Sequence, residues 1–160
     1  MSDESESVVV VGFSLHDLGW ADVSLQIGPD VYTIASASYT TDALGDLVRF
    51  ALMLVVGGVA AECSFDLEPT EMRLRGVSDG VTVHLSVYGF DSIHLDRPIE
   101  AGAREFYATC RVVDLGRAVA LAADAVLSQE GGTGFKARWT EDFPTRALVA
   151  LKAALGTVAS

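Results

Sequence analysis

Asparagine is absent from this 160-residue chain, and lysine occurs twice against nine arginines. Both amino acids use AT-rich codons, so the pattern points to a GC-rich bacterial genome and says nothing of function. Cysteine is scarce: Cys63 and Cys110 are too few for a disulfide framework in a chain this long. Bases are scarce relative to acids, with 11 Lys and Arg against 22 Asp and Glu and a net charge of −11. Such a field opposes nucleic acid and anionic membrane and favours a basic partner, although solubility or adaptation to salt would also account for it. The first seven residues, MSDESES, lack the basic start of a secretory signal. They read as a disordered acidic tail, which leaves residues 8–160 as one α+β domain with a cytoplasmic location as the default.

A long hydrophobic run is also missing. The charge-free stretch Phe50 to Ala61 has 12 residues, whereas a membrane span needs roughly 20. Residues 43–56 therefore read as a core helix. Thr40, Thr41 and Asp42 offer capping oxygens before it, and Gly57 and Gly58 offer a stop after it. Leu44, Leu47, Val48, Ala51, Leu52 and Val55 fall on one apolar face at helical spacing, with Phe50, Met53 and Val56 off that face. Asp42, Asp46 and Arg49 share the small polar stripe. A helix this apolar needs cover on several sides, so it is expected at the centre of the fold.

Before this helix the chain reads as a three-stranded meander. A loop at Asp17-Leu18-Gly19 sets Phe13 opposite Val23, Val11 opposite Leu25 and Val9 opposite Ile27. A turn at Pro29-Asp30 would set Leu25 opposite Ile34 and Ile27 opposite Tyr32. After the helix comes a second meander. In VAAECSFDL the residues Val59, Ala61, Cys63, Phe65 and Leu67 alternate inward. A turn at Pro69-Thr70 would pair Phe65 with Leu74 and Asp66 with Arg73. Asp79-Gly80 would pair Leu74 with Leu85 and Arg75 with His84. Residues 89–102 form a long connection, which marks a candidate functional segment. A strand near 103–112 follows, with Phe106, Ala108, Cys110 and Val112 inward. A helix then runs from Asp114 to about Gln129 and stops at Gly131. A last helix starts at Pro144 and ends at Gly156. Strands followed by helices indicate α+β, with the two meanders expected to join in one sheet and the C-terminal helices on one face.

No catalytic constellation is present. There is no GxSxG elbow, and His16, His84 and His94 form neither HxH nor HExxH. His94 and Asp96 could supply two metal ligands, where zinc takes three or four. Both cysteines fall on inward positions and read as small buried hydrophobes. Gly131-Gly-Thr-Gly134 follows a helix and lacks the Lys-Ser/Thr of a phosphate loop, so it reads as a flexible connection. Trp20 and Tyr39 point outward, Phe90 falls in the long connection, and Phe135, Trp139 and Phe143, spaced i, i+4, i+8, read as packing on the core. No cofactor is called for.

Charge singles out the first 70 residues, which hold eleven Asp and Glu against one base, Arg49, while residues 71–160 hold eleven acids and ten bases. The outward strand carboxylates Asp22, Glu62, Asp66 and Glu68 are the candidate contacts for a basic protein, with Asp66 discounted for its expected pairing with Arg73. A second reading places a small-ligand or enzyme site between the second meander and loop 89–102, around Arg73, Arg75, His84, Tyr88, His94 and Asp96. Cross-strand salt pairs on a solvated sheet face would explain the same residues.

The pattern Ser38-Tyr39-Thr-Thr-Asp42-Ala-Leu-Gly-Asp46-Leu, followed by Phe65-Asp66-Leu-Glu68-Pro69 and an Arg-rich strand, resembles uncharacterised small acidic proteins of GC-rich bacteria. Some proteins of that build are described as immunity proteins against toxins. The resemblance covers the layout of residues 20–155 and implies a non-enzymatic inhibitor of a basic toxin. It assigns no functional residue. Homo-oligomerisation stays open.

Overall fold

A computed structural model describes residues 8–92, 97–139 and 141–158. Strands β1 (Val9–His16), β2 (Trp20–Ile27) and β3 (Asp30–Ser38) form one antiparallel sheet in that order. Strands β4 (Ala60–Asp66), β5 (Glu71–Ser78), β6 (Thr82–Phe90) and β7 (Ala103–Arg111) form a second, also in chain order. The helices are α1 (Ala43–Val55) between the sheets in sequence, then α2 (Val112–Trp139) and α3 (Thr145–Val158) at the C-terminus. This is the expected α+β order, with two sheets in place of one. No ladder joins β3 to β4. Their ends meet through side chains instead: the Ser38 hydroxyl donates to the Glu68 carboxylate and the Thr40 hydroxyl to Asp66.

The first hairpin has the register its loop dictates, with Phe13 opposite Val23 and Val9 opposite Ile27. Gly19 takes φ 81°, the left-handed position that such a loop requires. The other three hairpins are each displaced by two residues from expectation. Leu25 faces Tyr32 rather than Ile34, Phe65 faces Met72 rather than Leu74, and Leu74 faces Val87 rather than Leu85. The cause lies in the turns. Gly28 (φ 59°) and Gly80 (φ 101°) each take the first central place of a two-residue loop, which moves the turn by one residue and the register by two. A two-residue shift keeps every side chain on its own face, so the inward assignments within the strands survive, while that of Val59, before β4, does not.

Helix α1 is central as expected, packing against α2, α3 and β4. Asp42 caps it, accepting from the Gly45 N–H at 3.3 Å. Nine of its thirteen residues are buried, Phe50 among them, although spacing put Phe50 off the apolar face. Gly76 of β5 makes room for it: a Cβ there would lie 3.1 Å from the Phe50 ring and 2.9 Å from Leu54. Met53 and Val56 are exposed, as is Val59, which precedes β4 instead of starting it.

Helix α2 begins two residues before Asp114, whose carboxylate sits in the first turn and accepts from Arg111 at 2.9 and 3.1 Å. At Gly131 (φ 70°, ψ 165°) the helix breaks and then resumes to Trp139. The segment expected to be a flexible connection is thus mostly helical. Helical backbone is what places Phe135 and Trp139 on one face, both fully buried, with Trp139 set edge-on to Phe13 at 6.1 Å. The Trp139 indole N–H reaches the Thr41 carbonyl at 3.2 Å, and the Gly19 N–H reaches the Arg138 carbonyl at 2.8 Å. The end of α2 therefore closes over the first sheet. Cys63 and Cys110 are free and buried on inward positions.

Candidate functional site

The four expected carboxylates do not all come together. Glu62, Asp66 and Glu68 follow one another along β4 and into its turn. Asp22 lies in the other sheet, where it accepts from the Ser36 N–H at 2.9 Å and contacts His16 Nε2 at 3.1 Å. It serves the β-bulge that shifts the β2–β3 register between Ala21 and Val23, a local structural duty.

Asp66 does not face Arg73. Register places it opposite Glu71, while Arg73 stands opposite Ser64. The carboxylate of Asp66 meets hydroxyl and acid instead of base. The Thr40 hydroxyl donates to it at 3.1 Å, and its other oxygen is buried with no hydrogen-bond partner among the described residues. Burial raises its pKa, the Thr40 hydrogen bond opposes that rise, and the nearby Glu71 and Glu68 add to it. Glu62 is exposed and lies opposite Arg75, whose guanidinium reaches Glu100 at 2.9 Å.

The described members of the alternative cluster come together in part: register sets Arg73 opposite Tyr88, while His84 is not opposite Arg75. Arg73 is buried against Glu71, with Nε 3.0 Å and Nη2 3.3 Å from the two carboxylate oxygens. It also donates to the Arg97 carbonyl and lies 4.3 Å over the Phe90 ring. Phe90 is the buried last residue of β6, not part of the connection. Ile99, in a one-turn 3₁₀ segment (Ile99–Ala101), is buried with them. The outer face of β5 is therefore interior at this end, and Arg73 holds the return segment down. Arg75 faces Ser86 and not His84. His84 is exposed, its Nδ1 2.7 Å from the Tyr107 hydroxyl. Tyr88 is half-buried, and His94 and Asp96 lie outside the described residues. A shallow cavity of about 430 Å³ beside Phe90 and Arg97 also takes in Met72 and Glu105.

A feature that spacing did not reveal lies on the other side of β4. The exposed stripe of α1 overhangs the β4 edge and encloses a groove of about 620 Å³ lined by Asp46, Arg49, Phe50, Met53, Glu62 and Cys63 among others. Arg49 is held by both Asp42 and Asp46, at 2.8 and 2.9 Å, so this trio keeps one net negative charge. The signal was present in the sequence: Met53 is an apolar residue on the polar stripe, and it is 51% exposed. The Cys63 thiol is held protonated. Burial, then the charges of Asp46 and Glu62, hold its thiol well above the usual range, and burial pushes Cys110 to about 12.

No group of three or more His, Cys, Asp or Glu among the described residues could hold a metal ion, and no described helix is long and apolar enough to cross a membrane. Comparison with family models, with curated proteins and with solved structures matches nothing.

Proposed function

We propose that this chain is a non-enzymatic protein-interaction domain that binds a basic protein through the acidic ground around β4, in its sharpest form as an immunity-type inhibitor of a basic toxin. The observation that carries the reading is the setting of Asp66. It lies opposite Glu71 across the ladder and precedes Glu68 along the chain, with a hydroxyl as its hydrogen-bond donor, and its pKa is raised first by burial and then by those two carboxylates. A basic partner would relieve the repulsion among these carboxylates. The exposed Glu62 and the α1 trio extend the same sign of charge beside it.

Stopped-flow binding of hexa-arginine tests this. Charges are screened over about 8 Å at physiological salt, so association slows steeply as salt rises. Reversal at the exposed Glu62→Lys lowers the on-rate and leaves the unfolding midpoint unchanged; Glu68→Lys lowers the on-rate too, but also removes the acceptor of the Ser38 hydroxyl and lowers the midpoint. Asp30→Lys is the control: it lies eight residues back from Ser38 on β3, about 26 Å along the strand, and has the smaller effect per charge. An on-rate that is flat in salt, or equally sensitive at Asp30, overturns the proposal.

A further inference from the structure

Strand β4 is an edge strand, and its free edge has a definite pattern. The Ser78 N–H bonds the Val59 carbonyl at 2.8 Å, and the Leu67 N–H bonds the Thr70 carbonyl at 2.7 Å. In an antiparallel ladder the residues that exchange bonds alternate, so Val59, Ala61, Cys63, Phe65 and Leu67 point their backbone groups at β5. Ala60, Glu62, Ser64 and Asp66 then point theirs the other way, and among the described residues no strand pairs there. Thr40 stands at the Asp66 end through its side-chain bond, which leaves Ala60, Glu62 and Ser64 each with an N–H and a C=O that no strand among the described residues takes up. These open into the groove under the α1 overhang.

We propose that this groove takes an extended basic segment of a partner protein as an added strand on β4. The inference rests on the acidic-surface reading and specifies its mode. Alternation decides what such a segment carries. One set of its side chains turns inward, against Phe50, the exposed Met53 and the side of Cys63, and is apolar. The other set turns to the outer face beside Glu62 and is basic, and Arg49 on the groove wall is outweighed by Asp46 beside it and by Asp42, its second partner. Backbone bonds supply affinity and the alternating side chains supply selectivity, as in other cases of strand addition. A second copy of this chain suits the edge poorly, because pairing β4 with β4 sets two acidic strands side by side. Edge strands are commonly blunted by charge or by proline; β4 has no proline, and the charges it carries, Glu62 and Asp66, turn away acidic strands and admit a basic one.

The test uses the hexapeptide (Arg-Val)₃, acetylated and amidated, in two versions N-methylated at alternate residues. Only the N–H groups that face β4 matter. One methylated version binds at least about tenfold more weakly than the parent and the other less than about threefold. On binding, amide hydrogen exchange slows at Glu62 and Ser64 and stays unchanged at Cys63, whose N–H already faces β5. Ser64→Pro removes an outward donor without breaking the β5 ladder and weakens (Arg-Val)₃ while hexa-arginine binding persists. Two outcomes overturn strand addition and leave the acidic-surface reading standing: equal binding of both methylated peptides, or hexa-arginine binding with no (Arg-Val)₃ binding. Slowed exchange at Glu62 and Ser64 that grows with protein concentration in the absence of peptide makes a second copy the occupant and overturns the proposal too.

Discussion

The Glu71–Arg73 pair sets a sharp energetic test. Glu71 is fully buried and Arg73 is 6% exposed, so both charges stand inside the protein. Arg73→Met leaves the Glu71 carboxylate in the interior without the guanidinium that meets both of its oxygens. Breaking such a pair costs about 3–5 kcal/mol. The guanidinium also lies 4.3 Å from the Phe90 ring centre, a stacking contribution of about 1 kcal/mol that the substitution removes. Against a typical total of 5–15 kcal/mol, Arg73→Met should unfold this protein at much lower urea. Glu71→Leu alone should also destabilise it. The double variant Glu71→Leu with Arg73→Met replaces both charges by apolar groups of similar size and should return to within about 1 kcal/mol of the parent, or exceed it. Urea unfolding followed by tryptophan fluorescence reads all four proteins, since Trp139 is buried and Trp20 is partly so. A loss under about 1 kcal/mol for Arg73→Met, or a double variant no more stable than that single one, would refute the reasoning.

Leu47, 1% exposed on central α1, should cost about 2–5 kcal/mol when replaced by Ala in the same urea assay, and a loss under about 1 kcal/mol would mean the helix is peripheral. Asp66 has a folded pKa above its unfolded one, so the folded state holds this proton more tightly and the parent loses stability as pH rises from about 3.8 through the raised value. Asp66→Asn lacks that loss, so its stability relative to the parent should climb over this window and then level off; a difference independent of pH would contradict the assignment. Cys63 and Cys110 should stay unreactive to a thiol reagent in the folded protein and react together on unfolding, with an intact mass after aerobic purification that shows no bridge.

Periodicity carried most of the fold. Alternation placed Phe65, Leu74 and Leu85 inward, and helical spacing placed Leu47 and Val48, because burial on one face leaves that trace in any sequence. Registers were legible only where the loop chemistry had one solution, as at Gly19. Gly80 could serve either central place of its turn and Gly28 could stand in its turn or just before it, and local composition does not choose between them. The site was less legible. Glu71 and Arg73 fell on a face that alternation assigned to water, yet the return segment covers it. The clue was Phe90, a large apolar residue on that same outward face, with Ile99 nine residues on to pack beside it. The groove under α1 depends on which strand ends up at an edge, and that is decided by pairings remote in sequence.

The closing of α2 over the first sheet has a consequence for synthesis. The strands β1, β2 and β3 are complete once Ser38 has been made, with hairpins that need no later residue. Phe135 and Trp139, which seal their inner side against Phe13, come about 100 residues later. At 5–20 residues per second the nascent meander waits roughly 5–20 s with Val11, Phe13, Val23 and Leu25 unsealed on the ribosome. Ribosome-bound chains stalled after Ser38 and before Phe135 should therefore recruit chaperones that bind apolar strands, and chains stalled well past Trp139 should release them.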